Sequence, residues 1–299
     1  MEAEGRAVGI IGLGLIGGSV ALRLRQQGFA DLILGFDLSG ESANEALSLG
    51  IIDEISSIDN LLNKASVIVI AIPVDATKKL LPQLLDNCKS SQVIIDMGST
   101  KSAIARVVEN HPNRSSYVAC HPIAGTENNG PSAAFSTLYE GKVNIICDKE
   151  LSDGKALETA LEITEILGMR VKYMNSVEHD RHIAYVSHLS HISSFTLGQT
   201  VLEVEENEKN IFDMAGSGFA STVRLAKSSP EMWAPIFVEN SKNILEVLKA
   251  YIANLEQYKK MIEEADNGGL FAAMMKTNRI RAVLENGTKQ KSETKELID

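Results

Sequence analysis

The first 174 residues alternate short apolar runs with segments whose apolar residues recur at helical spacing. The runs are typical of buried strands, and the segments between them of helices, with glycine at several helix ends. An alternation of this kind predicts a doubly wound, parallel α/β sheet. The predicted strands are residues 7–11, 32–36, 67–72, 93–96, 117–120, 143–147 and 170–173, with 51–55 as a connection or short strand.

The pattern changes near Asn175. From Val177 onward almost every stretch has a helical period, which predicts an all-α second domain. We therefore predict an α/β domain over residues 1–174, a helical domain over 175–285, and a polar tail over 286–299. The predicted helices are residues 177–205, 210–215, 221–227, 230–264 and 270–284.

Closely spaced glycines follow the first apolar run. In this order Gly12 permits a sharp turn, Gly14 admits a pyrophosphate close to the backbone, and Gly17 lets the next helix pack on the strand. The helix start at Leu15 and Ile16 offers free N–H groups to phosphate. The pattern predicts a Rossmann-type dinucleotide site, although a plain strand-to-helix turn uses the same residues.

An acidic residue decides between these two interpretations. Asp37 ends the second apolar run, 20 residues after Gly17, where a carboxylate accepts hydrogen bonds from the adenosine ribose. Residues 38–42 contain no Arg or Lys to receive a ribose phosphate, so we predict NAD rather than NADP. Pro73, after the third long apolar run, lies at the same predicted sheet edge and is included in the cofactor site.

Composition and charge narrow the class of protein. The chain has 299 residues, 44% of them hydrophobic and 23% charged, which is typical of a soluble two-domain protein. A net charge of −10 argues against a nucleic-acid partner. Three cysteines without a C-x-x-C pair, no secretion signal and no long apolar span predict a reduced, cytoplasmic protein that does not enter membranes.

His121 is the best-placed candidate base. It follows a short predicted strand at the edge where nicotinamide should lie, and neutral imidazole suits proton removal near pH 7. A loop histidine bonded to backbone is the alternative interpretation. Ser99 and Lys101 follow the preceding strand and could orient a hydroxyl or supply a cation, but Ser99 could equally cap the next helix.

Five titratable residues crowd one predicted helix. A metal site is conceivable, but the H-x-x-H spacing is poor for one helix face and the glutamate of a zincin is absent, so we predict no metal. We expect His188 and His191 to line the substrate pocket. His179 and His182 are expected at a solvated helix end, while Asp180 shares a helical face with His191.

Arg224 follows a glycine turn at residues 216–218 and could hold a carboxylate through two hydrogen bonds. An isolated arginine near a helix start is more often a surface residue. Trp233, nine residues later, is expected in the core.

Taken together, these residues resemble the prephenate dehydrogenase family over nearly the whole chain. The glycine motif is shared by many dehydrogenases, whereas the histidine motifs are far more specific. Ser190 stands where many members have proline, which leaves both neighbouring histidines in register. The resemblance rests on residues 12–19 (GLGLIGGS), 96–101 (DMGSTK), 121–127 (HPIAGTE), 187–191 (SHLSH) and 218–233.

The resemblance implies NAD-dependent oxidative decarboxylation of prephenate to 4-hydroxyphenylpyruvate, a step of tyrosine biosynthesis, by a homodimer joined through its helical domain. It implies that His121 is the catalytic histidine and that Ser99 orients the ring hydroxyl. Lys101 matches a lysine whose role is less defined.

It further implies that substrate is bound by the helical residues His191 and Arg224. Thr126 and Glu127 match the family's active-site loop.

Three alternatives stay open. Arogenate dehydrogenase has the same chemistry, and Glu127 or Asp180 could favour its ammonium group. A β-hydroxyacid dehydrogenase would use a helical lysine where this chain has histidines. A non-catalytic NAD sensor would have no reason to keep His121, Ser99, His191 and Arg224 together.

Overall fold

Eight strands form one sheet in the computed structural model, which describes residues 6–205 and 210–283. Their order across the sheet is β3-β2-β1-β4-β5-β6-β7-β8. The strands are β1 (Ala7–Ile11), β2 (Leu32–Phe36), β3 (Glu54–Ile55), β4 (Val67–Ile70), β5 (Val93–Asp96), β6 (Tyr117–Pro122), β7 (Val143–Cys147) and β8 (Arg170–Met174).

The predicted parallel sheet is confirmed from β3 to β6, but β7 runs antiparallel to β6. β8 is again parallel to β7. The carboxyl ends of β1, β2, β4, β5 and β6 therefore meet at one edge, where ligands of such sheets bind.

Twelve α-helices accompany the sheet within the described ranges. They are α1 (Leu15–Gln26), α2 (Gly40–Ser48), α3 (Ile58–Lys64), α4 (Val74–Asn87), α5 (Ser102–Val108), α6 (Gly154–Ile166), α7 (Ser176–Ile183), α8 (Leu189–Glu205), α9 (Ser217–Thr222), α10 (Pro230–Glu239), α11 (Ser241–Glu263) and α12 (Asn267–Thr277).

Alternation along the strands divides the core between the two faces of the sheet. In β4 the side chains of Val67 and Val69 join one apolar cluster, while Ile68 and Ile70 join the other. Helices α1, α2 and α6 cover the first face, and α3, α4, α5 and α10 cover the second. The doubly wound architecture is thus confirmed.

The predicted helices after residue 175 are interrupted in two places. A π-helical turn, Ala184–His188, separates α7 from α8, so the predicted continuous helix over 177–205 is wrong there. Asn240 separates α10 from α11, and its side chain donates to the carbonyl of Asp180 in α7. Residues 212–214 and 224–227 form 3₁₀ turns rather than full helices.

By its internal packing the chain divides after Ile244 into two compact units. The first contains the sheet and all candidate site residues. The predicted polar tail, residues 286–299, lies outside the described residues. Within those ranges no helix is long and apolar enough to cross a membrane, and the cytoplasmic location stays a prediction.

Candidate active site

The glycine turn has the geometry that a dinucleotide requires. Gly12 has φ +93°, and a Cβ there would overlap the carbonyl of Ala71. A Cβ on Gly17 would overlap the Gly12 carbonyl, so the close approach of α1 to β1 depends on this glycine. In front of Gly14 the space is open, since a Cβ there would meet only the Gly130 nitrogen at 4.0 Å.

The start of α1 is also free for an anion. Within the described residues no side chain caps this helix at Gly14, so its first N–H groups and dipole face the opening. Leu15 and Ile16, predicted in the cofactor site, form this first turn. The residues present therefore fit the pyrophosphate of a dinucleotide.

Asp37 follows β2 at the same edge. Its carboxylate accepts hydrogen bonds from the backbone N–H groups of Leu13 (2.9 Å) and Ser39 (2.9 Å). The acid thereby fixes the glycine turn and stands partly exposed beside it. Pro73, exposed at the start of α4, lies at the carboxyl end of β4, between these strands and β5.

His121 lies within β6, paired with Ile145 of β7, and is buried with 8% of its surface exposed. The prediction that the strand stops at Cys120 is therefore wrong, because pairing with β7 extends it to Pro122. Burial holds the pKa of His121 well below its ordinary value, and neighbouring His179 and Lys101 act in the same direction. A neutral imidazole is thus fixed on a rigid strand.

A hydrogen-bonded chain of three side chains ends at His121. Its Nδ1 lies 2.7 Å from Nε2 of His179, whose Nδ1 lies 2.8 Å from Oδ1 of Asp180. His179 is 1% exposed, so its expected place at a solvated helix end is wrong; that description fits His182, which is exposed. The adjacent residues His179 and Asp180 are the sequence signal for this hydrogen-bonded chain. The signal does not identify their partner, because His121 lies 58 positions before His179.

Lys101 is fully buried rather than turned toward the opening. Its ammonium group forms an ion pair with the buried carboxylate of Asp96 and donates to the carbonyl of Cys120 at 2.7 Å. Asp96 also accepts from the Tyr117 hydroxyl at 2.6 Å. This placement favours a supporting role, because Lys101 holds the backbone that precedes His121.

Ser99 lies on the connection between β5 and α5, partly buried. It does not cap α5: the N-cap position is Lys101, and the N–H groups of Lys101 and Ser102 donate to the Asp180 carboxylate, each at 2.8 Å. Because β5 pairs with β6, Ser99 and His121 follow neighbouring strand ends. The predicted pairing of serine and histidine at one edge thus fits the topology.

The helical histidines meet at Trp233. His191 stacks on its indole, with ring centroids 3.4 Å apart and planes inclined by 24°, and His188 meets its edge at 5.9 Å. His191 is partly buried, and His188 is fully buried with Nδ1 3.1 Å from the Asn240 amide. Burial lowers the pKa of His188 to about 4. Of the two, His191 is the one whose surface is open to a ligand.

Arg224 and Glu127 close the other side of the site. Their side chains form an ion pair at 3.3 Å, with 53% and 34% of their surfaces exposed. A hydrogen bond to its own backbone, followed by the charge of Arg224, lowers the pKa of Glu127. Thr126 turns its hydroxyl to the N–H of Asn128 at 3.2 Å. Residues predicted from separate motifs are thus brought together across the sequence.

A dinucleotide turn with an acid at the second strand, a buried imidazole at a neighbouring strand end and an arginine paired with the loop that follows that strand define an NAD-dependent dehydrogenase. The family model for the prephenate dehydrogenase nucleotide-binding domain matches residues 20–173, and that for the dimerisation domain matches residues 175–277. The chain belongs to the prephenate dehydrogenase family. The glycine turn itself precedes the matched residues.

Individual relatives agree with this assignment. The prephenate dehydrogenase of Bacillus subtilis is 31% identical over 88% of this chain and 71% of its own length. The A. aeolicus prephenate dehydrogenase, solved with hydroxyphenyl propionate and NAD+, is 32% identical with a TM-score of 0.83, covering 94% of this chain and 100% of that one. The arogenate dehydrogenase of Synechocystis is 25% identical with a TM-score of 0.73, covering 93% and 99%.

Proposed function

We propose that this chain catalyses the NAD-dependent oxidative decarboxylation of prephenate to 4-hydroxyphenylpyruvate, with His121 as the general base. The observation that carries the proposal is the buried imidazole of lowered pKa at the end of β6, beside the strand exit that bears Ser99. At pH 7 this imidazole is neutral and can accept a proton.

The residues of the site have separate roles in the reaction. His121 takes the proton of the ring hydroxyl as the carbon that carries it is oxidised, and Ser99 orients that hydroxyl toward the base. NAD, when bound, supplies the hydride acceptor. The ring carboxylate departs as carbon dioxide, its bonding electrons complete the aromatic ring, and the reaction becomes irreversible. The main contribution of the protein is therefore to hold the ring hydroxyl, the base and the cofactor in reactive positions.

Substrate binding is assigned to two side chains of the helical region that keep part of their surface open, Arg224 and His191. Arg224 supplies a guanidinium for a substrate carboxylate, and the stacked ring of His191 supplies a polar edge. Arg224 is paired with Glu127 through a single 3.3 Å contact, so a bidentate carboxylate is a stronger partner for it. His188, fully buried, supports His191 and Trp233 from behind.

Prephenate is preferred to arogenate because, among the described residues, neither candidate carboxylate is both buried and free to bind an ammonium group. Asp180, one of the two candidates, is 2% exposed and accepts from Lys101, Ser102 and His179. Glu127, the other, has 34% of its surface exposed, so solvent screens its attraction for an ammonium group even when a substrate carboxylate displaces it from Arg224. Arogenate is retained as the second candidate because Glu127 is partly exposed and could exchange partners.

The proposal is tested by following NADH with prephenate or arogenate, each with NAD and with NADP. Rapid NADH formation with prephenate and NAD is expected. The His121→Asn variant should lose roughly two to four decades of turnover while NAD binding is kept. Turnover with neither substrate, despite NADH binding, would favour the sensor instead.

We further propose that the dimer forms through the C-terminal helices. The family model for this region is a dimerisation domain. Five apolar side chains of α11 and α12 are 46–68% exposed, which is unusual for helices in water: Ile252, Leu255, Ile262, Phe271 and Met275. Sedimentation should give twice the chain mass, and Ile262→Asp with Phe271→Asp should give the chain mass. A wild-type monomer at micromolar concentration would contradict this.

A further inference from the structure

The chain of hydrogen bonds behind His121 has a fixed direction. An ionised carboxylate only accepts, so Asp180 requires His179 to donate from Nδ1. When the ring of His179 carries this single proton, its Nε2 atom is unprotonated and accepts. Its 2.7 Å partner, Nδ1 of His121, is therefore the donor.

We propose that His179 and Asp180 are positioning residues that hold His121 as the Nδ1–H tautomer, with the lone pair of Nε2 turned to the substrate. The assignment rests on the proposed role of His121 as the base. It adds two residues that contact neither substrate nor cofactor and act only through His121.

Asp180 is held firmly enough for this role. Its carboxylate accepts from the N–H groups of Lys101 and Ser102, so the start of α5 fixes both oxygens. Its backbone carbonyl accepts from the Asn240 amide at 2.7 Å. Although burial opposes it, the hydrogen bond from His179 leaves the pKa of Asp180 below its ordinary value. The carboxylate therefore remains ionised and accepting.

The same hydrogen bonds also stabilise His121 in its protonated form. When Nε2 of His121 takes the hydroxyl proton, the ring gains a positive charge, and its Nδ1–H donates more strongly to His179. The proton stays on Nε2 until it leaves to water, and no proton needs to reach Asp180. The other charged or titratable groups facing His121 are Lys101 and His188, which oppose its protonation.

The tautomer can be observed without any assay of activity. Long-range ¹H–¹⁵N spectra of protein labelled at its six histidines, recorded at pH 8, distinguish a protonated from an unprotonated ring nitrogen. The His121→Asn variant assigns the His121 signals. We expect His121 with a protonated Nδ1 and an unprotonated Nε2. The opposite tautomer would overturn the proposal.

Substitutions then test the effect on catalysis. In Asp180→Asn an NH₂ group that donates to His179 reverses the chain, and it also replaces the oxygen that accepts from the Lys101 N–H, so α5 keeps only the bond from Ser102. The variant should show His121 protonated at Nε2 and a kcat lowered by about 10²–10⁴-fold, as for wrong-tautomer variants of serine proteases. Unchanged KM values are expected for substrate and NAD.

Two ring variants separate positioning from packing. His179→Phe keeps the ring but removes the acceptor, and should lower kcat by about 10–100-fold. His179→Gln offers a carbonyl oxygen to the same Nδ1–H and should recover most of that loss. His182→Phe, three residues along the same helix at a 51% exposed position, is the control for ring substitution and should match wild type.

The outcomes separate the two proposals. If the protein fails to oxidise prephenate or arogenate, the proposed function fails, while the spectra still test the tautomer. If activity is normal and His179→Phe and His179→Gln lose the same kcat, or only melting temperature changes, His179 has a packing role and the positioning proposal fails.

Discussion

Replacing Lys101 with methionine is expected to destabilise the sheet-containing unit by about 3–5 kcal/mol, because one partner of a buried ion pair is removed. The side chains of Lys101 and Asp96 have no exposed surface. Methionine keeps most of the length of lysine but leaves the Asp96 carboxylate without its counter-ion. It also leaves the Cys120 carbonyl without the 2.7 Å donor that it now has.

The remaining contacts of Asp96 place the expected value at the lower end of this range. The Tyr117 hydroxyl still donates at 2.6 Å and the Gly98 N–H at 2.9 Å, so the carboxylate keeps two hydrogen bonds. About 3 kcal/mol is therefore expected for Lys101→Met. The double variant Asp96→Asn/Lys101→Met should recover part of this loss, since no buried charge remains.

Urea unfolding followed by fluorescence measures this directly, because Trp233 is the only tryptophan of the sequence and lies in the same unit. Lys79→Met is the matched control: Lys79 is 77% exposed and 3.9 Å from Asp75, and its loss should cost at most about 0.5 kcal/mol. If Lys101→Met is as stable as Lys79→Met and has a raised KM for substrate, the supporting role is refuted. Lys101 would then be assigned to direct contact with the substrate.

Three further outcomes are expected. Arg224→Ala should raise the KM for prephenate at least about tenfold with little change in kcat, and an unchanged KM would defeat the carboxylate assignment. Asp37→Ser should weaken NAD binding about ten- to hundredfold and reduce the preference for NAD over NADP. The ratio of the kcat/KM values for the two cofactors measures this preference. His188 should contribute about 2 kcal/mol to the fall in stability from pH 7 to pH 5, in addition to the contribution of His121, because His188 has a pKa of about 4 when folded and the unfolded chain binds its proton first. His188→Gln should reduce this slope in pH-dependent urea unfolding.

Much of the fold could be predicted because its signals are local. The glycine turn, the acid after β2 and the apolar runs each depend on residues close in sequence, whose backbone requirements are read from spacing alone. The edge of the sheet that binds ligands could be predicted from topology, since parallel strands place their carboxyl ends together. His121, Ser99 and Asp37 could therefore be placed at one edge without coordinates.

The extent of β6 and the helix breaks could not be predicted in this way. β6 reaches Pro122 only because β7 pairs with it in the opposite direction. The helical period of the sequence runs through both the π turn before α8 and the break at Asn240, so it marks neither of them. Asn240 bonds Asp180 and His188, 60 and 52 residues earlier.

Short-range spacing along the chain encodes the class of fold, the dinucleotide turn and the histidine on which the proposed chemistry depends. The partners of that histidine follow instead from the packing of distant elements. His179 meets His121 from 58 positions away, and Asp180 caps a helix that begins 78 positions before it. Hydrogen bonds between buried side chains depend on which elements pack together, and a pattern along one chain does not specify that packing.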